Sequence, residues 1–152
     1  MPKIYFYKTI RASIPKKVIN DIVKMFFKVL RVPKSKEVSI VIISDQKMRK
    51  MNKMYRGEDC ITDVLSFSEG DASVRVPGNS NFLGEIFISY PQVRRQAKEN
   101  KNSIIEEISI LLIHGLAHLM GFEHNTPQKK KQMIRIEQKV LRKLELRSPA
   151  PE

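Results

Sequence analysis

From Ile104 to Met120 the chain is apolar on most faces of the helix it would form. A helix with no broad polar side must be covered all round, so this one belongs in the middle of the protein with the other elements packed about it. Its ends are marked. Ser103 supplies an N-cap, and Glu106 three residues later completes a capping box. Gly121 supplies the stop, because glycine tolerates the left-handed conformation in which many helices end.

The same helix carries His114 and His118, and with His124 these are the only histidines in 152 residues. Residues four apart lie one above the other on a single helix face, so His114 and His118 can address one ion. His124 is six residues beyond His118, too far for the same face of a continuing helix. A turn at Gly121 swings Phe122 to His124 back toward the first two. A solitary histidine on an apolar helix face is more often a satisfied core residue than a ligand. Three at these offsets, split by a helix stop, form a metal set: catalytic zinc sites commonly take three protein ligands and leave a fourth position open.

The remaining elements follow from periodicity. Lys3 to Lys8 alternates as a first strand, and Pro15 opens a helix to Leu30 whose stripe is Ile19, Ile22, Val23, Phe26, Phe27 and Leu30. Glu37 to Ser44 encloses a near-continuous β-branched run and reads as a buried, central strand. Asp45 caps a helix to about Tyr55, with Met48, Met51 and Met54 or Tyr55 as core filler. Val64 to Ser68 and Phe82 to Ser89 are two more strands, separated by a loop from Gly70 to Asn81. A basic helix from Tyr90 or Pro91 to Asn100, the central helix, and an amphipathic helix from Pro127 to about Leu146 complete the chain. The expected class is α+β, a mixed sheet of about four strands covered by helices, in a single domain over 1–152 with a proline-rich tail from Ser148.

Charge points to a polyanionic partner. Lys and Arg number 28 against 16 Asp and Glu, a net +12; nucleic acid or an anionic membrane surface would each supply the phosphates that drive sequence-independent binding, against the plain alternative of a solvated surface that only aids solubility. The basic residues are dispersed in short clusters, so any binding face has to be assembled by folding. No apolar run reaches membrane-spanning length and the amino end is no secretory signal, which makes a soluble, cytoplasmic protein the expectation. The single cysteine, Cys60, cannot form an internal disulfide, and it reads as an inert small apolar residue in a reducing compartment.

The spacing 114, 118, 121, 124 matches the H-x-x-x-H-x-x-G-x-x-H frame of metzincin proteases, but those place a glutamate base directly after the first histidine and this chain has Gly115. Zinc still lowers the pKa of its water and polarises a substrate oxygen, so hydrolysis stays open while that peptidase route closes. His114-Gly115, His118-Leu119, Gly121-Phe122 and His124, together with Arg56, Thr62 to Phe67 and Leu83-Gly84-Glu85-Ile86, resemble in identity and order the motifs of the YbeY family of metal-dependent endoribonucleases. Glu85 and Glu123 stand where that family usually has aspartate.

The resemblance implies a zinc-dependent, single-strand-preferring endoribonuclease of ribosomal RNA processing and small-subunit quality control. Its metal would be one Zn2+ on His114, His118 and His124. Its partners would be small-subunit ribosomal RNA and ribosomal proteins. Arg56 would lie in the cleft as the catalytic residue, where a planar guanidinium suits phosphate oxygens. Without the resemblance, Arg56 reads as a helix-end arginine paired with Glu58 or Asp59. Asp63, Ser66 and Glu85 read as turn, strand and shaping residues. The competing classes are a metzincin-like zinc peptidase and a non-catalytic RNA-binding assembly factor with structural zinc.

Overall fold

The computed structural model describes residues 2–69 and 81–144. Its elements run β1 (Lys3–Lys8), α1 (Lys16–Leu30), β2 (Glu37–Ile43), α2 (Asp45–Arg56), β3 (Val64–Ser68), β4 (Phe82–Ser89), α3 (Tyr90–Asn100), α4 (Ile104–Leu119) and α5 (Pro127–Lys143). The class is α+β, as the periodicities require. Of the loop expected from Gly70 to Asn81 all but Asn81 lies outside the described residues, as do residues 145 and 146 of the last helix and the tail from Ser148.

The β-branched run of β2 is central because both its faces find apolar cover. The sheet order is β1-β2-β4-β3, with β2 parallel to both neighbours and β3 antiparallel to β4 at the edge. Val38, Ile40 and Ile42 enter the main core with residues of α1 and α4, while Val41 and Ile43 meet Met48 and Met51 of α2 on the opposite face. α4 packs against α1, α3, α5, β3 and β4, and Ile108, Leu112, Ile113 and Leu116 are each 0% exposed. Each such side chain contributes about 1.5–3 kcal/mol relative to exposure, so burial holds α4 at the centre.

Gly84 lets α4 come this close. Glu37 pairs with Phe82 but Val38 pairs with Gly84, so β4 carries one extra residue, a bulge, at Leu83. Gly84 has φ 153°, and a Cβ there would press into the Phe67 carbonyl oxygen and stand 2.6 Å from Leu119 Cδ2. Only glycine fits between the sheet and the end of α4.

Several local expectations shift by one residue. Ser44, not Asp45, caps α2, its Oγ accepting from Lys47 N at 3.1 Å. Ser44 still has the extended backbone of the strand it leaves, as an N-cap requires, while Asp45 is already helical and binds Arg95 Nη2 at 2.9 Å and Ser89 Oγ at 2.8 Å. Pro15 is the N-cap of α1 rather than part of its first turn, and Met120 is the C-cap of α4. Met48 and Met51 are core, but Met54 and Tyr55 are 73% and 46% exposed. Asn52 takes the buried place instead, its Nδ2 donating to the Cys60 carbonyl at 3.0 Å. Cys60 itself is exposed.

Candidate metal centre

The site grows from the last two turns of α4. Gly115, between the two histidines of the helix, is buried against β4: a Cβ would lie 3.1 Å from Ile86 Cγ2 and 3.2 Å from its Cδ1. A Cβ there would crowd a wholly buried isoleucine by a few tenths of an ångström, and glycine at this position leaves the metzincin base without a side chain. The helix then stops as Gly121 allows. Gly121 takes φ 92°, its N–H donates to the His118 carbonyl at 3.0 Å, and Phe122 N–H donates to the Ala117 carbonyl at 3.0 Å. This pair of bonds is the Schellman ending, and Phe122 packs on the main core beside it. The chain is thereby turned back and His124 returns to the helix.

The three rings converge. Centroids are 4.6 Å apart for His114 and His118, 5.2 Å for His118 and His124, and 5.7 Å for His114 and His124. One ring nitrogen from each lies within 4.8 Å of the others. His114 Nε2 and His118 Nε2 are 3.1 Å apart. Two nitrogens held about 2.1 Å from one tetrahedral ion would sit about 3.4 Å apart, so the pair on the helix has the needed separation and exposed His124 has a short distance to close. A divalent cation among the three rings would take one nitrogen lone pair from each. Such a three-imidazole set also accepts nickel, copper or iron, so the donors alone do not select the metal.

A carboxylate that sequence reasoning passed over completes the arrangement. Glu137 of α5 lies 3.3 Å from His114 Nδ1, with its side chain only 11% exposed. This contact assigns the Nδ1 proton to the Glu137 side and leaves the Nε2 lone pair facing His118 and His124. The available signal was the placement of an acid on the buried stripe of α5, between Met133 and Val140. His118 is held below the ordinary imidazole pKa of 6.5, first by burial and then by the nearby His114 and His124 rings, which keeps it neutral and ready to donate a lone pair. Glu123, next to His124, is paired with Lys129 at 3.3 Å with both side chains more than half exposed, the arrangement of a surface residue.

Arg56 is not in contact with the histidines. Its Nη2 donates to the Ser66 carbonyl at 3.2 Å and its guanidinium lies 5.9 Å from the Phe67 ring centre. Asp59, one of the two acids expected to hold it, is instead bound by Arg49 at 2.8 Å. A short path still joins Arg56 to the rings: Ser66 pairs with Ile86, and the Ile86 side chain packs on Gly115, the residue after His114. Asp63 stabilises the turn into β3 by accepting from Val64 N at 2.7 Å, and Glu85 accepts from Ser39 Oγ at 3.1 Å.

Comparison with known proteins now bears on this geometry. The family model described as Endoribonuclease YbeY matches residues 7–145. The chain belongs to the YbeY family. It is 38% identical over 118 residues to the Endoribonuclease YbeY of Bacillus pumilus, covering 74% of each chain. It is 34% identical over 128 residues to that of Geobacillus thermodenitrificans, covering 81% of this chain and 82% of the relative. The same fold is met in the solution structure of TM1509 from Thermotoga maritima, at a TM-score of 0.58 and 21% identity over 98% of this chain and 99% of that one. Among the described residues no helix is long and apolar enough to cross a membrane.

Proposed function

We propose that the protein is a zinc-dependent endoribonuclease that prefers single strands and acts in the cytoplasm on small-subunit ribosomal RNA, in processing and quality control, as one catalytic domain over 1–152. The observation that carries the reading is the convergence of His114, His118 and His124 within 4.8 Å in a chain whose relatives are named endoribonucleases. A metal held there would polarise a phosphate oxygen and activate an attacking oxygen. The protein's own residues then divide the work. Glu137 orients His114, burial keeps His118 unprotonated, and the Gly121 turn presents His124. Arg56 clamps the scissile phosphate and stabilises the charge that develops on it, and the +12 charge gathers the polyanion.

The test is metal analysis of purified protein beside cleavage of a single-stranded RNA. His114→Ala should lose both bound metal and cleavage, whereas Arg56→Ala should keep the metal and lose about 100-fold or more in rate. A His114→Ala protein that cuts as fast as wild type at matched purity ends the metallonuclease reading. RNA binding without any cleavage by the metal-loaded wild type would make the protein an assembly factor instead.

A further inference from the structure

The C-terminal end of α2 carries an exposed aromatic that shares the Phe67 ring with Arg56. Tyr55 is 46% exposed although its ring stands edge-on against Phe67, with centroids 5.3 Å apart at 70°. Phe67 is itself 4% exposed and leans on Phe87 at 5.9 Å, so Tyr55 rests on an aromatic stack rooted in the sheet. The Arg56 guanidinium lies over the same Phe67 ring. Among the described residues Arg56 has no carboxylate partner, in contrast to Arg49, which Asp59 holds. Lys53 stands one helical turn before Arg56 and is exposed. Folding therefore exposes a large ring beside a guanidinium that, among the described residues, no acid holds.

We propose that Tyr55 is a stacking platform for one unpaired base of an RNA strand whose phosphates run past Arg56 and Lys53. The inference rests on the endoribonuclease reading and adds a base-binding subsite to it. A tyrosine ring offers every base the same apolar face, so the subsite demands an unstacked nucleotide and reads no sequence; it would contribute a preference for single strands. Charge decides the occupant. An apolar protein partner would be served by Met54 and Ile61, which are also exposed, but has no use for the Arg56 guanidinium that shares the Phe67 ring with Tyr55. A phosphate chain with pendant bases uses both kinds of group.

The experiment measures fluorescence anisotropy of the metal-loaded protein with a labelled 2′-O-methyl octanucleotide, its integrity checked on a gel, and with an abasic chain of the same length. Tyr55→Leu, which keeps apolar cover over Phe67 but has no π-face, and Tyr55→Ala should each bind the octanucleotide about five- to 100-fold more weakly. Tyr55→Phe should bind like wild type, and all four proteins should bind the abasic chain alike. Melting temperatures separate a folding defect from a lost contact. Equal binding of the octanucleotide by Tyr55→Leu and wild type overturns the platform and leaves the nuclease reading intact. Loss of abasic binding as well would show that Tyr55 shapes the cationic site rather than holding a base, which also overturns it. Stacking with no cleavage by the metal-loaded wild type would instead remove the nuclease reading and keep the subsite.

Discussion

At the scale of single residues, Glu137 makes the sharpest prediction. An outer carboxylate on a ligating histidine is worth about 10–100-fold in metal affinity. Glu137→Gln keeps an oxygen that can accept from Nδ1–H and should weaken zinc binding about tenfold, whereas Glu137→Leu should approach 100-fold, both read by competition with a chromophoric chelator. His118 makes a second. Its pKa in the folded protein lies below 6.5, so between that depressed value and 6.5 the unfolded chain binds more protons than the folded one. The metal-free protein should therefore lose stability as pH falls below 6.5, and His118→Asn should flatten that part of the melting-temperature profile. The histidines were legible in the sequence because their spacing encodes a shared helix face. Glu137 was not, since it comes from a different helix and is 23 residues from the ring it orients. Periodicity places an acid on a stripe but names no partner across a fold.

At the scale of elements, the turn after α4 does the positioning. Gly121 has open space around its missing side chain, so Gly121→Ala meets no clash and incurs only the strain of its backbone, about 1–2 kcal/mol. Thermal melting should show that small loss, and metal affinity should fall with it because His124 reaches the site only through this turn. α4 was readable end to end, from the Ser103 capping box to the glycine stop, since caps and stops are local chemistry. α2 was readable only in part. Its methionine spacing located the buried side, but whether Met54 and Tyr55 belonged to it depended on Asn52 finding the Cys60 carbonyl, a contact made only after the chain folds back. The central position of β2 was legible from its unbroken β-branched run. The place of β3 beyond β4 was not, because pairing order is decided between strands distant in sequence.

For the whole molecule, charge and topology set the terms of RNA binding. With +12 spread over short clusters, affinity for single strands should fall on a log–log plot against salt, with a slope of about −0.7 for each phosphate neutralised. Replacing Arg56 by alanine should make that slope shallower by about 0.7, while replacing Tyr55 should leave it unchanged, which separates charge from stacking in one titration. Composition carries a net charge but names no binding face, because the basic residues are dispersed in short clusters along the chain.

The position of β3 at the sheet margin has one more consequence. Asp63 O accepts from Ser89 N and Glu69 N donates to Leu83 O, so the odd-numbered backbone groups of β3 face β4, and those of Val64 and Ser66 face away from the sheet. A bare strand margin invites another chain to extend the sheet. Here the Val64 amide is taken by the Asp63 carboxylate and the Ser66 carbonyl by Arg56. The arginine proposed to hold phosphate thus also covers part of this margin. Arg56→Ala should show concentration-dependent oligomers by light scattering, which Arg56→Lys, with its charge retained at the margin, should suppress.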